Sequence, residues 1–294
     1  MDIRVLRYFL AVAKEENILS ASKILHVTQP TLSRQLMDLE KEIGVKLFLR
    51  GNGIRKIILT EEGQLLKKRA EEILDLVEKT ESELIAPCES LCGDIAIGSG
   101  ETHVIGLLSK IIKEIRVEYP DIRYHFFSGN ADNVMERLDK GLIDFGVLAE
   151  PSNISKYDSI TLPITDIWGL LLRKEHPLAK KENIRAKDLK GYPLISSSQQ
   201  LTGSAFSKWL GYGYDQLNIV ATYTLLYNAS LLVKDNIGCA LCLDKIISTA
   251  CESDFCFRPL QPKLEAHWYI VWKKNQIFSK TSAYFLNKLQ EAFC

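Results

Sequence analysis

The chain has 294 residues, which is long enough for two domains, and its 46% hydrophobic content is typical of globular proteins with ordinary cores. It contains 37 basic and 37 acidic residues, so its zero net charge excludes a protein that is strongly basic throughout. The first residues lack the pattern of a signal peptide, and no apolar run reaches the roughly 18 to 20 residues that cross a bilayer. We therefore expect two folded domains, a cytoplasmic location and no membrane partner.

The seven cysteines are an odd number in a chain without an export signal, which favours reduced thiols over disulfides. Cys239 and Cys242 have the spacing of zinc ligands, but they lie in an apolar run and no second cysteine or histidine pair matches them. Small buried side chains are the simpler interpretation. We expect no metal and no cofactor.

Basic residues are concentrated near the amino terminus. Residues 20–60 contain seven lysines and arginines and three acidic residues, a local charge of +4, whereas residues 61–84 contain four basic and eight acidic residues, a local charge of −4. A basic segment of this size indicates a local surface for an anionic partner within a neutral chain.

Three helices are predicted in residues 2–44. Residues 2–15 carry an apolar stripe of Ile3, Leu6, Phe9, Leu10 and Ala13. A second short helix is expected to be capped by Ser20, and a third to be capped by Thr28, with Pro30 in its first turn and Gly44 at its end. The buried stripe of the third helix comprises Leu32, Leu36, Leu39 and Ile43.

The second and third helices fit a helix-turn-helix, in which the second member lies in the major groove of DNA. Off its apolar stripe, the third helix offers Gln29, Thr31, Ser33, Arg34 and Gln35. Glutamine can pair with adenine and arginine with guanine, while hydroxyl groups reach bases or phosphates. A solvated polar face on a small helical domain is the alternative interpretation.

A β-hairpin is predicted after Gly44, because Asn52 and Gly53 lie between the apolar runs 46–50 and 54–59. Arg50, Arg55 and Lys56 cluster near its tip. A basic hairpin beside a recognition helix is a wing whose contacts are mainly to phosphates.

The order and spacing of many residues over this region resemble the signature of LysR-type transcriptional regulators. The matching positions are Phe9, Ala21, Leu25, Gln29, Pro30, Ser33, Leu39, Glu40, Gly44, Leu47, Phe48, Arg50, Thr60 and Gly63. The segment from Asn17 to Ser22 departs from the usual pattern, which bears on the phosphate contacts of the second helix. The resemblance implies binding to double-stranded DNA through Gln29, Pro30, Thr31, Ser33, Arg34, Arg50, Arg55 and Lys56.

A long helix is predicted from Thr60 to the stop at Pro87. Apolar or small residues recur at alternating spacings of four and three: Leu66, Ala70, Ile73, Val77, Thr80 and Leu84. This pattern favours pairing with the same helix of a second copy, and packing on the chain's own carboxyl-terminal domain is the alternative. A two-fold dimer would bind a roughly palindromic operator, and the family resemblance adds a tetramer of two dimers.

Strands and helices alternate after residue 88, which predicts an α/β domain. Residues 141–144, 176–178 and 236–238 resemble the two-lobed effector domain of the same family, which is similar to periplasmic solute-binding proteins. The domains expected are a winged helix-turn-helix at 1–59, a linker helix at 60–87 and an effector domain at 88–294. Within the last, lobe I covers about 88–162 and 266–294, and lobe II about 163–265.

Three predicted strand ends are rich in hydroxyl and amide groups, and ligands of α/β proteins bind at such ends. The expected effector contacts are Ser99, Gly100, Thr102, Ser128, Asn130, Ser197 and Ser198. Ordinary helix capping is the alternative for each of them. Glu101 disfavours an anion placed against it unless its side chain points away.

No catalytic constellation is recognisable, since the histidines are scattered and the serine run 196–198 has no identifiable base. We expect a ligand-controlled transcription regulator and not an enzyme, with RNA polymerase as a further partner if it activates. A thiol redox sensor is a second hypothesis, based on the seven cysteines. It is weakened because no close cysteine pair lies in residues 196–214, the region where this lobe resembles the peroxide sensors of the same family. A stand-alone solute-binding protein would need an export signal and no DNA-binding domain.

Overall fold

The computed structural model describes residues 1–49, 56–85, 91–149, 156–198 and 204–294. The chain divides into two compact units, Met1–Ile85 and Ala86–Cys294. Within the described ranges, no helix is both long and apolar enough to cross a membrane. The mixed α/β fold class expected from the sequence is confirmed.

Unit 1 begins with the helices α1 (Ile3–Glu15), α2 (Ile18–Ile24) and α3 (Gln29–Ile43). Thr28 caps α3 as predicted, and Gly44 ends it with a φ of 80°. The prediction for α2 is wrong, because its cap is Asn17, whose side chain accepts from the N–H groups of Leu19 and Ser20. Asparagine is a strong capping residue, so the helix starts three residues earlier than the position of Ser20 suggested.

The core of unit 1 lies between these helices. Its buried residues include Val5, Leu6, Phe9, Val12, Ala21, Leu32, Leu36, Leu39, Leu47, Phe48 and Ala70. Two residues of the predicted stripes are exposed, Ile3 at 45% and Ile43 at 41%. Both lie at helix ends, where the partner helices no longer cover the stripe.

Strands β1 (Phe48–Leu49) and β2 (Ile58–Leu59) form the antiparallel pair predicted for the wing. Glu40 anchors the first strand, because its buried carboxylate accepts from the N–H groups of Leu47 at 2.9 Å and Phe48 at 3.3 Å. The tip of the hairpin, residues 50–55, lies outside the described residues.

Helix α4 (Glu61–Ile85) packs against α1 of the same unit. Ala70 is fully buried there, and Leu66 and Ile73 pack against the same core. The first half of the predicted coiled-coil stripe is therefore covered by unit 1 itself, which is neither of the two partners expected from the sequence. The side chains left exposed on this helix include Leu65 at 61% and Leu76 at 43%.

Lobe I of unit 2 contains the parallel strands β3 (Gly93–Ser99), β4 (Ile122–Ser128) and β5 (Phe145–Ala149). Helices α5 (Ile105–Glu118), α6 (Ala131–Asp139) and the last helix, α9 (Lys280–Phe293), cover this sheet. Strands and helices alternate along this lobe, as the sequence pattern predicts.

Lobe II contains the parallel strands β7 (Leu194–Ser197), β8 (Ile219–Tyr223) and β9 (Cys239–Leu243). Helix α7 (Ser204–Leu210) packs on one apolar cluster and α8 (Leu226–Lys234) on another. Short 3-10 turns occur at Pro177–Lys180, Ala186–Leu189 and Tyr214–Gln216. Strand β10 (Phe255–Pro259) pairs with the long strand that joins the lobes.

Two strands cross between the lobes: β6 (Tyr157–Arg173) and β11 (Glu265–Lys273). Strand β6 pairs with β11 up to Ile167 and with β9 from Trp168, so the change of lobe occurs there. The sequence predicts the boundary at Leu162 and Pro163, but strand β6 continues through both residues. The register shifts between His267 and Tyr269, opposite the proline, and such an irregularity tolerates a residue that lacks an N–H donor.

Candidate DNA-binding and effector sites

The amino-terminal half of α3 presents polar side chains to solvent. Gln29, Thr31 and Arg34 are exposed, whereas Ser33 is half-buried beside the buried stripe. Arg34 lies 3.9 Å from Asp38 one turn later, a distance at which an exposed ion pair contributes little. The guanidinium can therefore leave this contact for a stronger partner at small cost.

Thr28 and Pro30 fix the start of this helix. The N–H of Thr31 donates to the Thr28 hydroxyl at 3.4 Å, and the two threonine hydroxyls lie 2.8 Å apart. Pro30 is exposed in the first turn, where its missing N–H leaves no bond unmade. The first turn is thus held in place without using the exposed groups of Gln29 or Arg34.

Among the predicted wing contacts, only Lys56 is described, since Arg50 and Arg55 fall in the gap 50–55. The Lys56 ammonium donates to Glu16 at 2.6 Å. This hydrogen bond and the charge of Glu16 raise the pKa of Lys56 above its usual value. Lys56 therefore remains charged, and Glu16 competes with any phosphate for it.

The ends of β3 and β4 bring two predicted effector contacts together. Ser99 and Ser128 are directly paired in register, and the N–H of Gly129 donates to the Ser99 carbonyl at 3.0 Å. Ser128 is exposed, while Ser99 is only 5% exposed and its hydroxyl donates to the Gly100 carbonyl at 2.8 Å. At this edge of lobe I, the Ser128 hydroxyl is therefore accessible to a ligand, whereas the Ser99 hydroxyl already donates to the protein backbone.

Two further predicted contacts serve as caps. The Thr102 hydroxyl accepts from the N–H of Val104 at 3.1 Å, and the Asn130 side chain accepts from the N–H of Asn133 at 2.9 Å. Both still retain hydrogen-bonding capacity, because a hydroxyl can also donate and an amide has a free NH₂ group.

Ser197 and Ser198 lie at the end of β7, on the corresponding edge of lobe II. Ser197 is half-buried and Ser198 is exposed, and the Ser198 N–H donates to the Tyr223 carbonyl at 3.0 Å.

Glu101 makes a direct contact between the two lobes. Its carboxylate accepts from the N–H of Tyr227 at 3.2 Å, at the start of α8. That helix has no side-chain cap of its own at Leu225, so a carboxylate from lobe I occupies its positive end. The turn after β3 and the turn after β8 consequently face each other.

Sequence reasoning missed a buried charged group at the junction of the lobes. Asp166 is fully buried on β6 and accepts from the Trp268 indole N–H at 3.0 Å. His103 of lobe I and Lys245 of lobe II approach the same carboxylate at 3.5 and 3.4 Å. The available signal was an acidic residue, Asp166, directly before the apolar run 167–172, since a buried carboxylate requires partners.

The structure places three buried cysteines of the described residues in lobe II: Cys239, Cys242 and Cys256. Burial raises the pKa of the Cys239 and Cys242 thiols to about 12 and also raises that of Cys256. His176 lies 3.4 Å from Cys239, but burial lowers the pKa of this imidazole, so it does not supply a cation. Within the described residues, no group of three potential ligands could hold a metal ion.

An exposed recognition helix in a winged unit, joined to a two-lobed α/β unit, defines a DNA-binding transcription regulator with an effector-binding domain. Residues 3–64 match the family described as bacterial regulatory helix-turn-helix protein, lysR family, and residues 89–294 match the LysR substrate binding domain. The chain therefore belongs to the LysR family of transcriptional regulators.

Relatives and a solved structure agree with this assignment. The HTH-type transcriptional regulator BsdA of Bacillus subtilis (strain 168) is 36% identical over 197 residues, an alignment covering 66% of each chain. The Hca operon transcriptional activator HcaR of Escherichia coli (strain K12) is 28% identical over 283 residues, covering 94% of this chain and 93% of HcaR. The crystal structure of CbnR, a LysR family transcriptional regulator, is similar in fold, with 19% identity, a TM-score of 0.75 and full coverage of both chains.

Proposed function

We propose that α3 reads operator bases through Gln29, Thr31, Ser33 and Arg34, with Pro30 setting the path of its first turn. The observation that carries this proposal is the exposure of Gln29, Thr31 and Arg34 on a helix whose opposite face is buried. Arg50, Arg55 and Lys56 contact phosphates and supply affinity that is independent of sequence.

The test compares Arg34→Ala with Lys56→Ala on an operator selected from random DNA by the full chain. Loss of Arg34 should relax base preference at one or more positions and cost about 1 to 3 kcal/mol of operator binding. Loss of Lys56 should weaken operator and random DNA alike and reduce the salt dependence. Equal losses on both DNAs for the Arg34 variant would contradict its reading role.

We further propose that the cleft between the lobes binds a small-molecule effector at Ser99, Gly100, Thr102, Ser128, Asn130, Ser197 and Ser198. The Glu101 contact supports this proposal, because it places the carboxyl ends of strands from both lobes opposite each other. An effector that prefers one lobe orientation shifts the population of that orientation and thereby changes DNA binding. A thermal-shift screen of polar metabolites on the full chain tests this, and an unchanged unfolding temperature with every compound would count against it.

In this assignment, residues 1–59 bind DNA, residues 60–87 join two copies and residues 88–294 bind the effector. A homodimer, or a tetramer of two dimers, places recognition helices on a roughly palindromic operator. Such a regulator acts on DNA in the cytoplasm, catalyses no reaction, and contacts RNA polymerase if it activates transcription.

A thiol redox sensor is less well supported than effector control. The buried thiols of Cys239, Cys242 and Cys256 have raised pKa values, whereas reactive thiols have lowered ones. Replacing all cysteines by serine should leave regulation intact. If the wild-type chain responds to peroxide and this variant does not, the redox-sensor hypothesis would be supported.

A further inference from the structure

A cavity of about 310 Å³ lies in lobe II, between the start of α8 and the chain that follows β9. Its volume is at the lower end of the range for small-molecule sites. Its apolar lining comprises Leu171, Leu226, Cys242, Leu243, Ile247 and Phe257. The cavity is therefore suited to a small apolar group.

The polar side chains on this cavity are one carboxylate, one ammonium group and one hydroxyl: Asp244, Lys245 and Thr249. The Lys245 ammonium lies 3.5 Å from Asp244 and 3.4 Å from Asp166, both longer than a strong charged hydrogen bond. Lys245 is half exposed and carries three donors, so it can bind a further acceptor.

The charges favour a ligand that carries both signs. Lys245 already faces two carboxylates, so a purely anionic ligand would add to an excess of negative charge. A purely cationic ligand would leave the Lys245 donors without a strong acceptor. A ligand with adjacent ammonium and carboxylate groups can pair with Asp244 and Lys245 together, and it leaves the local charge unchanged.

We propose that this cavity binds a small apolar α-amino acid, with its side chain in the cavity, its ammonium on Asp244 and its carboxylate on Lys245. The inference rests on the assignment of unit 2 as a ligand-binding domain and gives that unit a second site, with its own class of ligand, apart from the proposed cleft site. Its position differs from the predicted serine contacts, because it uses the segments after β8 and β9.

Occupation of the cavity is coupled to the junction of the lobes. The Asp244 carboxylate accepts from the N–H of Ile167 at 2.9 Å, and Lys245 approaches Asp166, so both residues contact the crossing strand β6. Leu226 precedes Tyr227, whose N–H is bonded to Glu101 of lobe I. A ligand on these residues consequently alters contacts that link the two lobes.

Calorimetric titration of the full chain with three compounds tests the proposal. L-leucine carries both charges, 4-methylpentanoate lacks only the ammonium, and 3-methylbutylamine lacks only the carboxylate. L-methionine and L-phenylalanine extend the test to other side-chain shapes. We expect at least one of the amino acids to bind, and the two leucine analogues to bind at least roughly tenfold more weakly than leucine, since each loses a charged hydrogen bond.

Two variants test which charged group of the ligand pairs with Lys245 and which pairs with Asp244. Lys245→Gln should remove the preference for leucine over the amine, and Asp244→Asn should remove the preference for leucine over the acid. Lys263→Gln is the matched control, because Lys263 is an exposed lysine of the same lobe that pairs with Glu265. If a charge variant fails to fold, Thr249→Phe on the exposed rim supplies an independent test by filling the cavity, and it should weaken leucine binding.

Absence of saturable binding by all three amino acids up to roughly 10 mM would overturn the proposal. Leucine affinity that is unchanged in the Lys245, Asp244 and Thr249 variants would do the same. If a metabolite of another charge class binds instead, the effector-domain assignment stands and only this inference fails. If no metabolite binds, both fail.

Discussion

Glu40 shows how one residue of the family signature serves structure and not DNA contact. Its side chain is 2% exposed, and it accepts from Leu47 and Phe48 at the start of the wing and pairs with Lys46 at 3.2 Å. A carboxylate so deeply buried requires these donors. Glu40 therefore joins the recognition helix to the hairpin.

We predict that Glu40→Gln lowers the free energy of unfolding by about 1 to 3 kcal/mol, because the amide replaces a charged acceptor and brings an NH₂ group that needs its own partner. Urea unfolding followed by circular dichroism measures this loss. Asp38→Asn, on the exposed side of the same helix, should change stability little. Equal stability of the two variants would show that the buried bonds contribute nothing.

Gly63 is a second residue of the family signature, and the structure explains why this position requires glycine. A methyl group at this position would lie 2.2 Å from the Leu47 carbonyl oxygen, which belongs to the backbone and cannot rotate away. We predict that Gly63→Ala destabilises unit 1 and lowers its melting temperature. Gly106→Ala is the control, because its added methyl group meets nothing within 4 Å on helix α5. That change should be neutral or slightly stabilising.

The cysteines differ in burial, and burial controls the reactivity of a thiol. Cys251 and Cys294 are exposed, whereas Cys239 and Cys242 are buried with pKa values of about 12. At pH 8 the buried pair is therefore protonated and shielded. We predict that a disulfide reagent modifies Cys251 and Cys294 quickly in the native protein, and Cys239 and Cys242 only after unfolding. Fast modification of either buried thiol, located by peptide mass, would contradict this.

Helix α4 has two apolar faces. Leu66, Ala70 and Ile73 pack on the core of unit 1, whereas Leu65 and Leu76 are exposed. The two exposed leucines are eleven residues apart, which returns them to the same side of a helix. Among the described side chains of α4, these leucines form an exposed apolar face, and this is the surface that we assign to the proposed dimer.

We predict that Leu65→Glu combined with Leu76→Glu dissociates the proposed dimer without unfolding unit 1. Sedimentation equilibrium measures the mass, and circular dichroism checks the fold. Ile277→Glu is the control, since this residue is 94% exposed and lies in the other unit. Ala70→Glu should unfold unit 1, because it buries a charge without a partner. A dimer that persists in the double variant would place the interface elsewhere.

The two lobes of unit 2 are connected by the strands β6 and β11 and by hydrogen bonds and ion pairs between side chains and backbone groups of the two lobes. Glu101 of lobe I contacts the start of α8 in lobe II. The Asp166 carboxylate lies close to His103 of lobe I and to Lys245 of lobe II. These contacts stabilise one relative orientation of the lobes. They are the contacts that an effector must change if it is to alter that orientation.

We predict that Glu101→Ala increases hydrogen exchange at the start of α8, because the Tyr227 N–H loses its acceptor. Exchange of the peptide containing residues 224–232, measured by mass spectrometry, reports this change. Glu182→Ala, an exposed substitution in lobe II, should leave that peptide unaffected. Unchanged exchange in the Glu101 variant would show that the contact does not protect the helix.

Local patterns determined much of this protein from the sequence alone. The recognition helix, its cap at Thr28, its end at Gly44 and the paired wing strands follow from apolar periodicity and short-range capping, which involve neighbours in the chain. The same is true of the alternating elements of unit 2. A dense set of spaced residues also determined the family.

Only the tertiary structure decided which surfaces meet. Periodicity showed that α4 has an apolar stripe, but packing on α1 decided that half of this stripe is internal. Asp166, Trp268, His103 and Lys245 are far apart in sequence, and only the crossing of β6 and β11 brings them together. The reason is physical: backbone preferences act between near neighbours, whereas buried charges and cavities depend on distant segments that approach after folding.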